Sequence, residues 1–204
     1  MRLEALTPVP GPTGRIRLTF SDGSTWKVYP EVISDCGLCA GRELTDEELE
    51  ALRAAAARAS ARQRAVRIVA ASAVSERELE RRLVRKGEDR EQARDAVEWL
   101  RGLNAVDDRE TARRIVRHAA ERGYGRARAR QELYGKGIPR EYWDEALEDY
   151  PDMSGAIDRF LASRLRGGED DPKQIKKVSD ALCRRGFSWE EIRSGLRRYG
   201  AQEE

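Results

Sequence analysis

Cys36-Gly37-Leu38-Cys39 is the one stretch whose residue types and spacing suggest bond-making chemistry. A C-x-x-C pair serves as a redox dithiol or as half of a zinc site. The redox form needs a thioredoxin-like βαβ setting with a helix starting at the first cysteine, and here a loop after a hairpin is expected instead. The zinc form needs two more ligands. Only Cys183 and His118 remain, both far along the chain and in separate helical segments. His118 follows Ile115 by three residues on a predicted helix, which makes it a partly buried structural residue. Asp107-Asp108 reads as a helix N-cap rather than a pair of metal ligands. No P-loop, G-x-S-x-G or H-E-x-x-H pattern is present. The expectation is no catalytic residue, no metal and no cofactor.

The remaining chemistry is ionic recognition. Thirteen basic residues fall in three clusters: Arg81, Arg82, Arg85 and Lys86; Arg126, Arg128, Arg130 and Lys136; Lys173, Lys176, Lys177, Arg184 and Arg185. The net charge is +2 from Glu76 to Lys86, +3 from Arg126 to Lys136 and +4 from Lys173 to Arg185, while Arg140 to Asp149 carries -4. A whole-chain charge of only +2 thus conceals a segregation of sign. Basic side chains so grouped can pair with nucleic-acid phosphate or with an acidic protein surface. The plainer reading is that arginine is a good helix former and that charge fills a solvated face.

The elements that carry these clusters repeat. Each cluster ends at a leucine, two residues, a basic residue and a glycine: Leu83 to Gly87, Leu133 to Gly137 and Leu182 to Gly186. The glycines lie 50 and 49 residues apart. Matched positions follow each one: Ala93, Trp143 and Ile192 six residues on, then Val97, Leu147 and Leu196 ten residues on. A fixed period of this kind indicates tandem copies of one supersecondary unit. Each unit reads as three helices. The first carries Ala65/Ile68/Val69, Ala112/Ile115/Val116/Ala119 or Ile157/Phe160/Leu161/Leu165, the spacing of a single buried stripe. The second places Leu79/Leu83, Ala129/Leu133 or Val178/Leu182 four apart, and ends at a glycine able to take the left-handed C′ conformation. The third opens at Asp89 with Gln92, at Pro139 in a first helical position, or at Ser188 with Glu191. Trp99, Trp143 and Trp189 recur in these third helices, where core packing is expected and base stacking is the alternative. Asp107-Asp108 and Glu169-Asp170-Asp171-Pro172 form acidic linkers.

The N-terminal stretch has another period. Residues 14–20 and 25–29 alternate polar and apolar around Ser21-Asp22-Gly23-Ser24, which predicts a β-hairpin, with a third strand over Leu3 to Leu6. Thr45 to Glu48 is a capping box that opens a helix through Leu49, Leu52 and an alanine run, which either continues into the first repeat near Arg62 or breaks around Ser60. The predicted organisation is a β-rich segment over 1–44, a connecting helix over 45–60, and three-helix repeats over 61–106, 107–151 and 152–204. The fold class is mainly α, an elongated array of three tandem three-helix repeats preceded by a small β-hairpin. Among the 204 residues 37% are charged, and the mean hydropathy is -0.76, as suits units that each expose much of their surface. No apolar run approaches a membrane span, no signal peptide is evident, and three cysteines fit a reducing cytoplasm.

The stretch from about Arg62 to Tyr199 resembles RecX, a bacterial regulator family of the RecA recombinase. The matching features are Ser-x-x-Glu-Leu-x-x-x-Leu-x-x-Lys-Gly at Ser75 to Gly87, Leu103 to Asp108 followed by Ala112, and Leu-x-x-Lys-Gly-Ile at Leu133 to Ile138. Gly37 to Gly41 looks like the Gly-Leu-x-x-Gly turn of longer members. Thr111 stands where an aromatic is common. The resemblance implies a monomeric, non-enzymatic protein that binds RecA filaments on single-stranded DNA. It also implies inhibition of the recombinase, ATPase and co-protease activities behind homologous recombination, DNA repair and the SOS response. The thirteen basic residues above would carry that contact, without membrane association. A direct DNA-binding module acting without RecA is the alternative. These helices are rich in Arg and Lys but poor in Asn and Gln, which favours backbone or protein contacts over base reading.

Overall fold

The computed structural model describes residues 1–12, 14–165 and 171–200. The chain divides into two compact units, Met1–Val106 and Asp107–Glu204. It is mainly helical, with one small sheet.

In the first unit β1 (Leu3–Pro8), β2 (Ile16–Phe20) and β3 (Thr25–Val28) form an antiparallel sheet in that order. The third strand is thus present and two residues longer than expected. Gly23, with φ 82°, makes the turn between β2 and β3. The next element, α1 (Pro30–Asp35), is a six-residue helix where a loop was expected. Its Pro30 at the first turn is the cue, since proline there gives up only an N–H that lacks a partner anyway. α2 (Asp46–Ala71) opens on the reciprocal Thr45–Glu48 capping box and runs unbroken through Ser60. Up to Ala59 it sets Leu49, Leu52 and Ala59 against Leu3, Leu18, Phe20 and Val28 of the sheet. Its C-terminal half sets Ala61, Ala65 and Ile68 against Leu79, Leu83, Ala93, Val97 and Leu100. These last belong to α3 (Glu76–Arg85) and α4 (Arg90–Gly102). One helix therefore supplies both hydrophobic clusters of the unit.

The second unit holds α5 (Asp108–Glu121), α6 (Arg126–Gly135), α7 (Trp143–Leu147), α8 (Ser154–Arg164), α9 (Pro172–Arg184) and α10 (Trp189–Tyr199). Two clusters fill it. Ala112, Val116, Ala129, Leu133 and Leu147 form one, and Ile157, Leu161, Val178, Leu182, Ile192 and Leu196 form the other. The expected third helix over Arg140 to Asp149 is reduced to a 3-10 turn, Arg140–Tyr142, and the five residues of α7. Pro139 lies before the turn with ψ 141°, not inside the helix. No side chain caps it, and acids at Glu141, Asp144, Glu145, Glu148 and Asp149 repel at helical spacing. Glu145 instead bridges to α5, accepting from Arg109 Nε at 2.8 Å. That bond, then the contact with Arg113, holds its carboxyl below the ordinary carboxylate value. Glu169 and Asp170 of the second acidic linker lie outside the described residues, while Asp171 caps α9 through Lys173 N–H at 2.9 Å.

The three repeated glycines behave alike. Gly87, Gly137 and Gly186 have φ of 91°, 72° and 88°. Each donates to the carbonyl three residues back, and the following residue donates to Leu83, Leu133 or Leu182 at 3.1, 3.1 and 3.2 Å. These are three copies of one Schellman motif, with Lys86, Lys136 and Arg185 as C-caps at the negative helix end.

Candidate functional site

The three basic helices are alike in backbone and differ in what surrounds their charges. On α3, Ser75 caps the helix by accepting from Glu78 N–H at 3.1 Å. Glu78 then takes Arg82 Nε at 2.8 Å and lies 3.9 Å from Arg85 Nη2. Arg82 also donates to Ser72 Oγ at 3.1 Å. Glu80 and Glu76 reach across to Arg94 and Arg101 of α4, at 3.2 and 3.8 Å. Arg81 is exposed and pairs with no described acid, and Lys86 is exposed at the cap.

On α6 one basic residue ties two elements together. Arg126 Nη2 donates to the Leu147 carbonyl at 2.7 Å, which ties α6 to the end of α7. Arg130 lies 3.9 Å from Asp144, and Arg128 lies 3.7 Å from Glu132. Lys136 is exposed at the C-cap.

On α9, Lys173, Lys176, Lys177 and Arg184 are all exposed, and none pairs with a described acid. At 3.6 residues per turn they fall within an arc of about 100° opposite the buried Val178 and Leu182. Asp180 is the one acid within that arc. Arg185 is held differently: its guanidinium lies 4.7 Å from the Phe160 ring and 5.9 Å from the Tyr124 ring.

Tyr124 marks a joint. Arg128 lies 5.7 Å from the same ring, so two candidate arginines from adjacent repeats share one aromatic. Beneath them α9 ends on α6. Gly125 N–H donates to the Arg185 carbonyl at 2.8 Å, and Ala127 N–H to the Gly186 carbonyl at 3.2 Å. Orphan donors at one helix N-terminus thereby meet orphan acceptors at another's C-terminus, with dipoles in favourable order. The approach requires glycine on both sides. A Cβ on Gly125 would overlap the Gly186 carbonyl, and one on Gly186 would overlap the Arg128 backbone nitrogen. The structure thus brings the α6 and α9 clusters together, end to end.

Several expectations change. His118 is exposed, not partly buried, and lies 3.6 Å from Glu121. Its position between Val116 and Ala119 turns it off the buried stripe. Trp99 and Trp143 pack against their clusters, and Trp143 Nε1 donates to the Ile138 carbonyl at 3.0 Å. Trp189 instead is 45% exposed, because as the first residue of α10 it precedes the buried Ile192 turn. Cys36 is half-buried and Cys39 exposed, and no group of three His, Cys, Asp or Glu side chains assembles among the described residues. No helix of the described residues is long and apolar enough to cross a membrane. Tyr134 was not singled out, yet it is 72% exposed on α6. The signal was available: it follows Leu133 directly, so an aromatic stands one position off the buried stripe.

Comparison with known proteins adds identity to this geometry. The family model of the second three-helix domain of RecX matches residues 107–147. The regulatory protein RecX of Xanthomonas campestris pv. campestris (strain B100) is 35% identical over 140 residues, which cover 66% of this chain and 85% of that protein. Those of Stenotrophomonas maltophilia (strain R551-3) and Chromohalobacter salexigens are 34% and 30% identical, over 84% and 91% of their own lengths and 66% and 68% of this chain. A crystal structure of regulatory protein RecX has the same fold, with a TM-score of 0.76 and 20% identity over 97% of this chain and 98% of that one. The RecX of Lactobacillus salivarius gives 0.63, with 18% identity over 71% of this chain and 97% of its own. Sequence identity across most of a curated relative and a shared fold place the chain in the RecX family of regulatory proteins.

Proposed function

We propose that the protein binds RecA filaments assembled on single-stranded DNA and restrains their recombinase, ATPase and co-protease activities, without catalysis of its own and in the cytoplasm. The observation that carries this reading is the α9 face, four exposed cations that form no ion pair with a described carboxylate and have only Asp180 among them, joined end to end with α6. Such a row suits a polyanionic track or an acidic protein groove, and modest contacts along it sum through effective concentration. Of the thirteen basic residues, Lys173, Lys176, Lys177 and Arg184, with Arg81, Lys86 and Lys136, make the contact. Arg82, Arg85, Arg126, Arg128, Arg130 and Arg185 hold the surface in shape. The test is co-sedimentation with preformed RecA–DNA filaments, with DNA-dependent ATP hydrolysis measured across a salt series. Dose-dependent inhibition that weakens with salt is expected, and absence of both binding and inhibition overturns the reading. Tyr134 favours a second reading, direct binding of a single strand by base stacking beside Lys136. Equal affinity for DNA with and without RecA would select it.

A further inference from the structure

The first unit contains a cleft of about 690 Å³ that shares only Lys86 with the proposed contact surface. Its walls are Arg15 from the lead into β2, Arg64 and Arg67 from α2, and Arg82 and Lys86 from α3 with its cap, and no acid lines it. Five cations around one concavity repel unless something negative sits among them. Two carboxylates stand at the rim. Glu88 pairs with Arg64 at 3.0 Å and Glu78 with Arg82 at 2.8 Å. Arg15 and Arg67 are held by neutral groups, and Arg67 Nε donates to the Gln63 carbonyl at 3.2 Å. Both donate to the Tyr29 hydroxyl, at 3.2 and 3.1 Å, and the Arg15 guanidinium lies 4.8 Å from the Tyr29 ring. Arg15 Nε is buried with no hydrogen-bond partner among the described residues. A buried donor left open in a field of like charge is costly. An anion with several oxygens answers both the charge and the open donor.

We propose that this cleft is a phosphate-binding site. Guanidinium forks match phosphate geometry, and the cavity accepts a phosphate with part of what carries it. That the phosphate belongs to a nucleic-acid strand rests on the function proposed above; the phosphate chemistry does not.

Inorganic pyrophosphate and a fluorescent 20-nucleotide oligo-dT serve as probes of the full chain, by calorimetry and by anisotropy. The variants are Arg15→Gln/Arg67→Gln and, because those side chains bond to Tyr29, the solvent-facing Lys86→Gln. Arg17→Gln/Lys27→Gln removes equal charge from the exposed sheet. The expected result is pyrophosphate binding that falls at least about tenfold in the double variant and about threefold in Lys86→Gln, and stays unchanged in the sheet variant. Competition between pyrophosphate and oligo-dT identifies a strand as the source; pyrophosphate binding without competition identifies free phosphate compounds. Wild-type pyrophosphate affinity in both cleft variants, or equal loss in the sheet variant, overturns the site. Failure of the wild type to inhibit RecA, while the cleft variants still lose pyrophosphate, overturns the function above and leaves the site standing.

Discussion

Repeat one and repeat three present the same helix to solvent in two electrical states. α3 and α9 share the leucine stripe, the Schellman glycine and the basic cap. α3 carries Glu76, Glu78 and Glu80 in its first half, and these draw Arg82, Arg85, Arg94 and Arg101 into pairs. α9 has only Asp180 among its exposed cations. Net charges of +2 and +4 understate the contrast, because what differs is how much charge is free to meet a partner. The difference teaches that the charge a basic helix leaves free is set by the acids its own repeat places within reach.

The sharpest way to break the comparison uses the shared glycine. Gly87 and Gly186 have nearly the same φ, yet an added Cβ meets nothing within 4 Å at Gly87 and overlaps the Arg128 backbone at Gly186. Gly87→Ala should cost about 1–2 kcal/mol, the strain of a left-handed residue. Gly186→Ala should cost at least about 3 kcal/mol, because it also forces the α6–α9 joint apart. Urea unfolding measures both, and similar midpoints would show that the joint contributes little.

Charge reversal comes next in size. Lys173→Glu, Lys176→Glu, Lys177→Glu and Arg184→Glu together should weaken filament or DNA binding by about 100-fold at low salt. The logarithmic salt slope should fall by up to about four. Arg81→Glu with Arg85→Glu should cost less than about tenfold, since Glu78 already offsets Arg85. Equal losses from the two helices, both folded by circular dichroism, would erase the distinction.

A smaller effect sharpens it. Glu78→Gln removes the acid that engages Arg82 and Arg85, so it should strengthen binding about two- to fivefold at low salt and not at high salt. No change in anisotropy-measured affinity would mean that these arginines never reach the partner.

The smallest effect is in acid. Glu145 has its carboxyl lowered by Arg109 first and Arg113 second. A carboxyl depressed in the fold stabilises above its unfolded value of about 4.5 and loses that contribution as pH falls through its folded value. The gap in melting temperature between wild type and Glu145→Gln should therefore be small at neutral pH, because the pair faces solvent, and should close below about pH 4.5. A gap that is constant with pH would assign it to packing.

Much of the fold was legible because it rests on local chemistry. The capping boxes at Thr45 and Ser188, the three glycine caps and the leucine stripes each act within a few residues. The middle third helix failed where the same residues satisfied two principles at once: acids that favour a helix start also repelled one another along Arg140 to Asp149. The site was less legible because pairing is tertiary. The attachment of Arg126 to Leu147 and the sharing of Tyr124 by Arg128 and Arg185 depend on distant elements. One clue to the joint did lie in the sequence. Where α3 and α9 are capped by Ser75 and Asp171, α6 has Gly125, a helix start without a capping side chain. Its donors had to be met from elsewhere, and the Arg185 and Gly186 carbonyls meet them.

That joint has a bearing on how such a protein changes over generations. The bonds across it run from main chain to main chain, so the spacing of the last two repeats does not depend on which side chains the lysine face carries. Mutation can reshape that face without altering the stride between repeats, while the two glycines beneath it leave no room for substitution.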